Sequence, residues 1–183
     1  NTITGNDGIN VINGGQGADT MNGNGGSDTY YVDNELDAIG LEGATDGAAD
    51  HIKIIASATV NSYVLGAGDY IEFLEASAPT GLLRLDLTGN SLAQKITGNG
   101  GVNVIDGGAG NDSLFGGSGT DYFVFSTTIN SSTNKDTILD FNSFYDTIRL
   151  DNAVMTGLGA TTGALSANKY YAGTAAHDLD DRI

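Results

Sequence analysis

One spacing recurs along this chain: a glycine, an acid or amide five residues on, and an apolar side chain two residues after that. In rows of nine from Gly5 the sequence reads GNDGINVIN, GGQGADTMN and GNGGSDTYY. From Gly89 the pattern returns as GNSLAQKIT, GNGGVNVID, GGAGNDSLF and GGSGTDYFV. Position 1 is Gly in all seven rows, and position 4 is Gly in six, with Leu92 the exception. Position 6 is Asn10, Asp19, Asp28, Gln94, Asn103, Asp112 and Asp121; position 8 is Ile12, Met21, Tyr30, Ile96, Ile105, Leu114 and Phe123. Carboxylates and turn carbonyls are hard oxygen donors, so the chemistry this pattern offers is coordination of a hard cation, and calcium suits it best.

Such donors need elements to hold them. Six glycine-rich residues make a tight turn, because glycine tolerates positive φ and close backbone approach. The last three residues of each row present one apolar side chain, which is a short strand with one inward-facing residue. Two rows then make one coil of a flattened solenoid, and stacked coils form parallel sheets around a dry interior. One buried side chain contributes about 1.5–3 kcal/mol. Ordering the residues of a row costs about 1 kcal/mol or more for each. The turns therefore need stabilisation from another source.

The chain has 183 residues, 28 of them Gly, with 19 Asp, 4 Glu and 17 Asn, and a formal charge of -16. That charge argues against a nucleic-acid partner, which requires basic patches. The absence of Cys excludes disulfide scaffolds, zinc-thiolate sites and thiol nucleophiles. No apolar run reaches the ~18 residues of a transmembrane candidate. The hydrophobic share of 39% is not that of a disordered chain.

The rows resemble the calcium-binding nonapeptide G-G-x-G-x-D-x-U-x of the RTX, or hemolysin-type, repeat family. The resemblance implies an all-β fold: a right-handed parallel β-roll or β-solenoid, two calcium blocks joined by metal-free coils, and a C-terminal β cap. It also implies that each ion sits between turns two rows apart. The earlier turn supplies carbonyls 2 and 4 and its position 6 side chain; the later turn supplies carbonyls 1 and 3 and its own position 6 side chain. Carried onto this sequence, Asn6, Gly8 and Asn10 pair with Gly23, Gly25 and Asp28. Asn99, Gly101 and Asn103 pair with Gly116, Ser118 and Asp121, and Asn90, Leu92 and Gln94 with Gly107, Ala109 and Asp112. Asn10, Gln94 and Asn103 are neutral ligands, which predicts weaker binding there. Extending the frame through Val32 to Gly40 pairs Gly15, Gly17 and Asp19 with Val32, Asn34 and Asp37, and places Asp46 opposite Asn24, Gly26 and Asp28. Gly108, Gly110 and Asp112 recruit either Asp136 or Asp140. The expected cofactor is about four to six calcium ions.

Between the blocks, His51 to Val60, Ser62 to Leu65, Tyr70 to Leu74 and Leu82 to Leu87 read as strands. The 84-residue separation of Gly5 and Gly89 is not a multiple of nine, so the frame breaks there. Residues 1–49 and 89–130 are expected to be calcium blocks, 50–88 a spacer of wider coils and 131–183 a capping segment, all in one continuous domain. DTILDF, DTIRLD and AGTAAHDLDDRI resemble the family's closing segments, and both ends of the chain look like cuts within a longer protein.

No His-Glu-x-x-His or Gly-x-Ser-x-Gly motif is present, and only His51 and His177 occur. The expectation is therefore a non-catalytic module. The resemblance implies a secreted, extracellular bacterial protein exported by a type I route, with partners in calcium, the rest of the parent polypeptide and the secretion machinery. Repulsion among turn carboxylates opposes folding until calcium neutralises them. The alternative is a glycan-binding or adhesive solenoid, or a catalytic β-helix. It would use acid pairs such as Glu72 and Glu75, or aromatic groups such as Tyr63, Tyr70 and Phe73, or Tyr170 and Tyr171.

Overall fold

The computed structural model describes residues 1–40, 49–151 and 153–154. Short strands alternate between two faces of a stack of coils. One face is a seven-stranded sheet of β2 (Val11–Asn13), β4 (Thr29–Val32), β6 (His51–Ile54), β8 (Phe73–Ala76), β10 (Lys95–Thr97), β12 (Ser113–Phe115) and β14 (Thr137–Ile138). The other face has a three-stranded sheet, β1 (Thr2–Thr4), β3 (Thr20–Asn22) and β5 (Ala38–Ile39). It continues as a five-stranded sheet, β7 (Ser62–Val64), β9 (Leu85–Thr88), β11 (Asn103–Asp106), β13 (Tyr122–Phe125) and β15 (Thr147–Leu150). Every strand pairing is parallel, and the described residues contain no helix: the protein is an all-β parallel solenoid.

The register follows the nonapeptide. Val11 lies beside Thr29 and Lys95 beside Ser113, which is two rows of nine in each case. All seven position 8 side chains are buried between the faces, and Tyr30, Met21 and Phe123 are fully so. Tyr30 shows how a polar aromatic fits there: its ring lies in the core while its hydroxyl accepts the Gly23 N–H at 2.8 Å.

The spacer continues the same stack with longer coils. Thr29 pairs with His51, His51 with Phe73, and Phe73 with Lys95, a repeat of 22 residues. Three such coils and one of 18 account for the separation of Gly5 from Gly89. The wider coils bury additional apolar side chains, Val60, Leu65 and Ile71, so the interior stays filled. The spacer strands are shorter or shifted relative to the sequence expectation. β6 ends at Ile54 because Ser57 and Val60 close a turn, with Ser57 N–H donating to Val60 O at 2.9 Å. β8 starts at Phe73 because Glu72 lies in the preceding bend. Leu82 and Leu83 are exposed and β9 starts at Leu85, with Leu85 and Leu87 inward.

Within the segment expected to cap the stack, β14 and β15 add in parallel onto β12 and β13. The AGTAAHDLDDRI stretch, His177, Tyr170, Tyr171 and Asp46 lie outside the described residues.

Candidate metal centre

The turns line two edges of the stack, and at each edge the position 6 side chains form a ladder. The acids each use one oxygen to accept the backbone N–H of the counterpart one coil earlier. On one edge Asn10 N–H donates to Asp28 Oδ1 (2.7 Å), Asp28 N–H to Asp50 Oδ1 (2.6 Å) and Asp50 N–H to Glu72 Oε2 (2.9 Å). The same edge resumes with Gln94 N–H to Asp112 Oδ1 (2.8 Å) and Asp112 N–H to Asp136 Oδ1 (3.1 Å). On the other edge the nitrogen of Asn1 donates to Asp19 and Asp19 N–H to Asp37; further on, Asn103 N–H donates to Asp121 and Asp121 N–H to Asp146.

This ladder buries acids. Asp19, Asp28, Asp50, Asp112 and Asp121 are all 3% exposed or less. Position 1 must be glycine to make room: a Cβ on Gly98 would sit 2.7 Å from Asn103 Oδ1, and one on Gly107 would strike the Asp112 carboxylate. The acid turns also place positions 2 and 4 in the left-handed region, as at Gly108 (φ 85) and Gly110 (φ 125), or Asn24 (φ 71) and Gly26 (φ 113).

The second carboxylate oxygen is where the chemistry lies. Oδ2 of Asp19, of Asp28 and of Asp112 is buried without a hydrogen-bond partner. A buried, unpartnered carboxylate oxygen is costly unless a cation or proton meets it. The donor set of hard oxygens fits calcium. Among the described residues no three His, Cys, Asp or Glu side chains converge on a metal position, so the acids meet in pairs along each ladder. The metal-free electrostatics carry the same strain. Burial, then Asp136 and Asp106, push the Asp112 carboxyl up to about 7 despite the Gln94 N–H that favours its charge. Burial also raises Asp121, with Asp146 and Asp140 adding to it, and burial raises Asp136. Asp33 is raised by desolvation and by Asp37 and Asp19, and its Oδ1 is buried without a partner as well.

The predicted site residues distribute as follows. Asp19 and Asp37 meet one coil apart, and Asp37 Oδ2 also accepts the N–H groups of Asp33 and Asn34 at 3.1 Å. Of the two acids considered for Asp112, the ladder partner is Asp136. Asp140 lies on the other edge and accepts Gly116 N–H (3.0 Å) and Gly117 N–H (2.8 Å). The Gly108 carbonyl accepts the Thr127 hydroxyl at 2.5 Å, and Ala109 N–H donates to Asn90 O at 2.9 Å. Asn10, Gln94 and Asn103 sit in register with Asp28, Asp112 and Asp121, but their amides point into their own turns.

Sequence reasoning passed over Asp50, Glu72 and Asp146, which all stand in the ladder, and Asn134, whose Oδ1 accepts Gly110 N–H at 3.0 Å. The signal for the first three was present: each lies two residues before a strand's apolar residue, Ile52, Leu74 and Ile148, as position 6 precedes position 8. Glu72 and Glu75 do not form an acid pair. Glu72 serves the ladder, and Glu75 Oε1 on the outer sheet face lies 3.2 Å from both Lys53 Nζ and His51 Nδ1. Phe73 stacks on His51 at 4.2 Å, away from Tyr63, which packs against the core.

No curated protein and no solved structure matches the chain. A family model does, that of the RTX calcium-binding nonapeptide repeat, in four copies over residues 1–30 and 88–124. Those two stretches supply most of the ladder and all the left-handed turn positions described above. Residues 1–30 and 88–124 thus match the RTX calcium-binding repeat, and they coil into a parallel β-solenoid consistent with a β-roll.

Proposed function

We propose that this chain is a calcium-folded module: it stays open when calcium is scarce and closes into the β-roll when calcium is supplied. The observation that carries this is the buried, partnerless second oxygen of Asp19, Asp28 and Asp112. The ions belong at the edges where two acids meet one coil apart: Asp19 with Asp37, Asp28 with Asp50, Asp112 with Asp136, and Asp121 with Asp146. The turn carbonyls of Gly15 and Gly17, of Asn24 and Gly26, of Gly108 and Gly110, and of Gly117 and Gly119 complete the donor sets. Calcium supplies positive charge to these oxygens, and its binding energy becomes folding energy. A chain of net charge -16 that folds this way suits export as an open polymer and closure outside the cell, in support of the larger protein it belongs to.

The test is far-UV circular dichroism during a calcium titration from EGTA, with magnesium as control. A coil-to-β transition at roughly 10⁻⁴–10⁻³ M calcium, absent with magnesium, is expected. A β spectrum already complete in EGTA, and unchanged by calcium, would overturn the folding role.

A further inference from the structure

The seven nonapeptide turns are of two kinds. Four carry Asp at position 6: Asp19, Asp28, Asp112 and Asp121. In each of these, positions 2 and 4 are left-handed. The other three carry an amide at position 6 (Asn10, Gln94, Asn103) and Asn at position 2 (Asn6, Asn90, Asn99). None of their positions 2 and 4 is left-handed. Instead the position 2 side chain closes an Asx turn: Oδ1 of Asn6, Asn90 and Asn99 accepts the N–H of Gly8 (2.8 Å), Leu92 (2.9 Å) and Gly101 (2.8 Å).

The position 6 amide then fills the turn. Asn103 Nδ2 donates to Gly101 O (3.1 Å) and Asn99 Oδ1 (3.3 Å), and to Asp121 Oδ1 of the next coil (3.0 Å). Asn10 Nδ2 repeats this with Asn6 O (3.0 Å), Gly8 O and Asp28 Oδ1 (3.2 Å). Gln94, one methylene longer, donates from Nε2 to Asn90 Oδ1 at 2.8 Å. For Asn10 and Asn103 the acceptors include the turn carbonyls and the later carboxylate that a cation would bridge, while Gln94 meets the Asn90 side chain. An N–H pair presents positive hydrogens to the same oxygens without bringing a net charge.

We infer that Asn10, Gln94 and Asn103 are built-in substitutes for calcium: their turns close without metal, and each is a latent calcium site that an acid at position 6 would open. The inference rests on the calcium reading of the acid turns and limits it, since the edges led by these three residues take no ion. It also accounts for Leu92, because without a left-handed φ position 4 needs glycine only where backbone would crowd a Cβ, as Leu83 O would at Gly101 (2.6 Å). The roll then has metal-free clasps at the start of each repeat block, beside the metal-dependent acid edges.

The test uses the whole chain and calcium itself as probe, with stoichiometry measured by equilibrium dialysis. The variants are Asn103→Asp, the double change Asn99→Gly with Asn103→Asp, and Asn10→Asp in the more exposed first coil. One additional ion per chain is expected in at least one variant. An ion count equal to wild type in all three overturns the inference, as does loss of an ion in Asn103→Ala. Those results leave the acid sites standing. A wild-type chain that binds no calcium overturns the reading of the acid turns first, and this inference with it.

Discussion

The backbone N–H of Asp112 donates to Oδ1 of Asp136, 24 residues further on, at 3.1 Å, while Asp112 Oδ2 is buried with no partner. Two acids are thus fixed one coil apart by a backbone hydrogen bond, and one of them keeps an oxygen that only a proton or cation can meet.

That geometry sets the response to pH. Unfolded Asp titrates near 3.9, whereas Asp112 in the metal-free fold is raised to about 7, with Asp121 and Asp136 raised in the same direction. Between these pH limits the folded state holds protons that the unfolded state has released. Stability in EGTA therefore falls as pH rises through that window. The β content retained in EGTA should be higher near about pH 5 than near about pH 8, and calcium should restore it on the alkaline side. A β content that climbs from the lower to the higher pH without calcium would refute the assignment.

Asp112→Asn and Asp28→Asn should act in opposite senses under the two conditions. In EGTA each removes an uncompensated buried charge and should raise the residual β content. In saturating calcium each removes one side of a paired site and should cost roughly 3 kcal/mol with the loss of one bound ion. Circular dichroism in EGTA and denaturation curves in calcium read the two signs. A lower β content in EGTA together with a lower stability in calcium would mean that the carboxylate serves the ladder alone.

Position 4 should be sensitive in the acid turn of Gly110 and tolerant in the amide turn of Leu92. Gly110 has φ 125, and a Cβ there would strike Leu92 O. Gly110→Ala should destabilise the calcium-loaded roll by about 1–3 kcal/mol. Leu92→Gly, in a turn of ordinary φ, should cost about 1 kcal/mol, from backbone entropy and lost packing. Urea midpoints in calcium distinguish the two, and equal effects would contradict the division of turns.

Tyr30→Phe should cost about 1 kcal/mol by removing the acceptor of Gly23 N–H. Tyr30→Ala should cost about 3–5 kcal/mol by opening a cavity at a fully buried position. Because the ring supports the interior and not a cation, Tyr30→Phe should bind as many calcium ions as the wild-type chain. Loss of an ion in that variant would place the hydroxyl at a metal site instead.

The repeating rows determined a great deal by themselves. Glycine at position 1, a polar side chain at position 6 and an apolar one at position 8 dictate turn, ladder and core in every coil, because each follows from local sterics and burial. All seven position 8 residues are indeed inside. Tertiary stacking decided what no single row contains. The 22-residue coils keep position 6 and position 8 chemistry in Asp50 with Ile52 and Glu72 with Leu74, yet their loops differ in length, so a period of nine passes over them. Which acid faces Asp112 was open between Asp136 and Asp140; coil length settled it by putting Asp140 on the opposite edge. The amides of Asn10 and Asn103 read as weak ligands in sequence. Their place inside their own turns became visible only with the carbonyls and the next coil's carboxylate around them, since a hydrogen-bond donor is defined by the acceptors it meets.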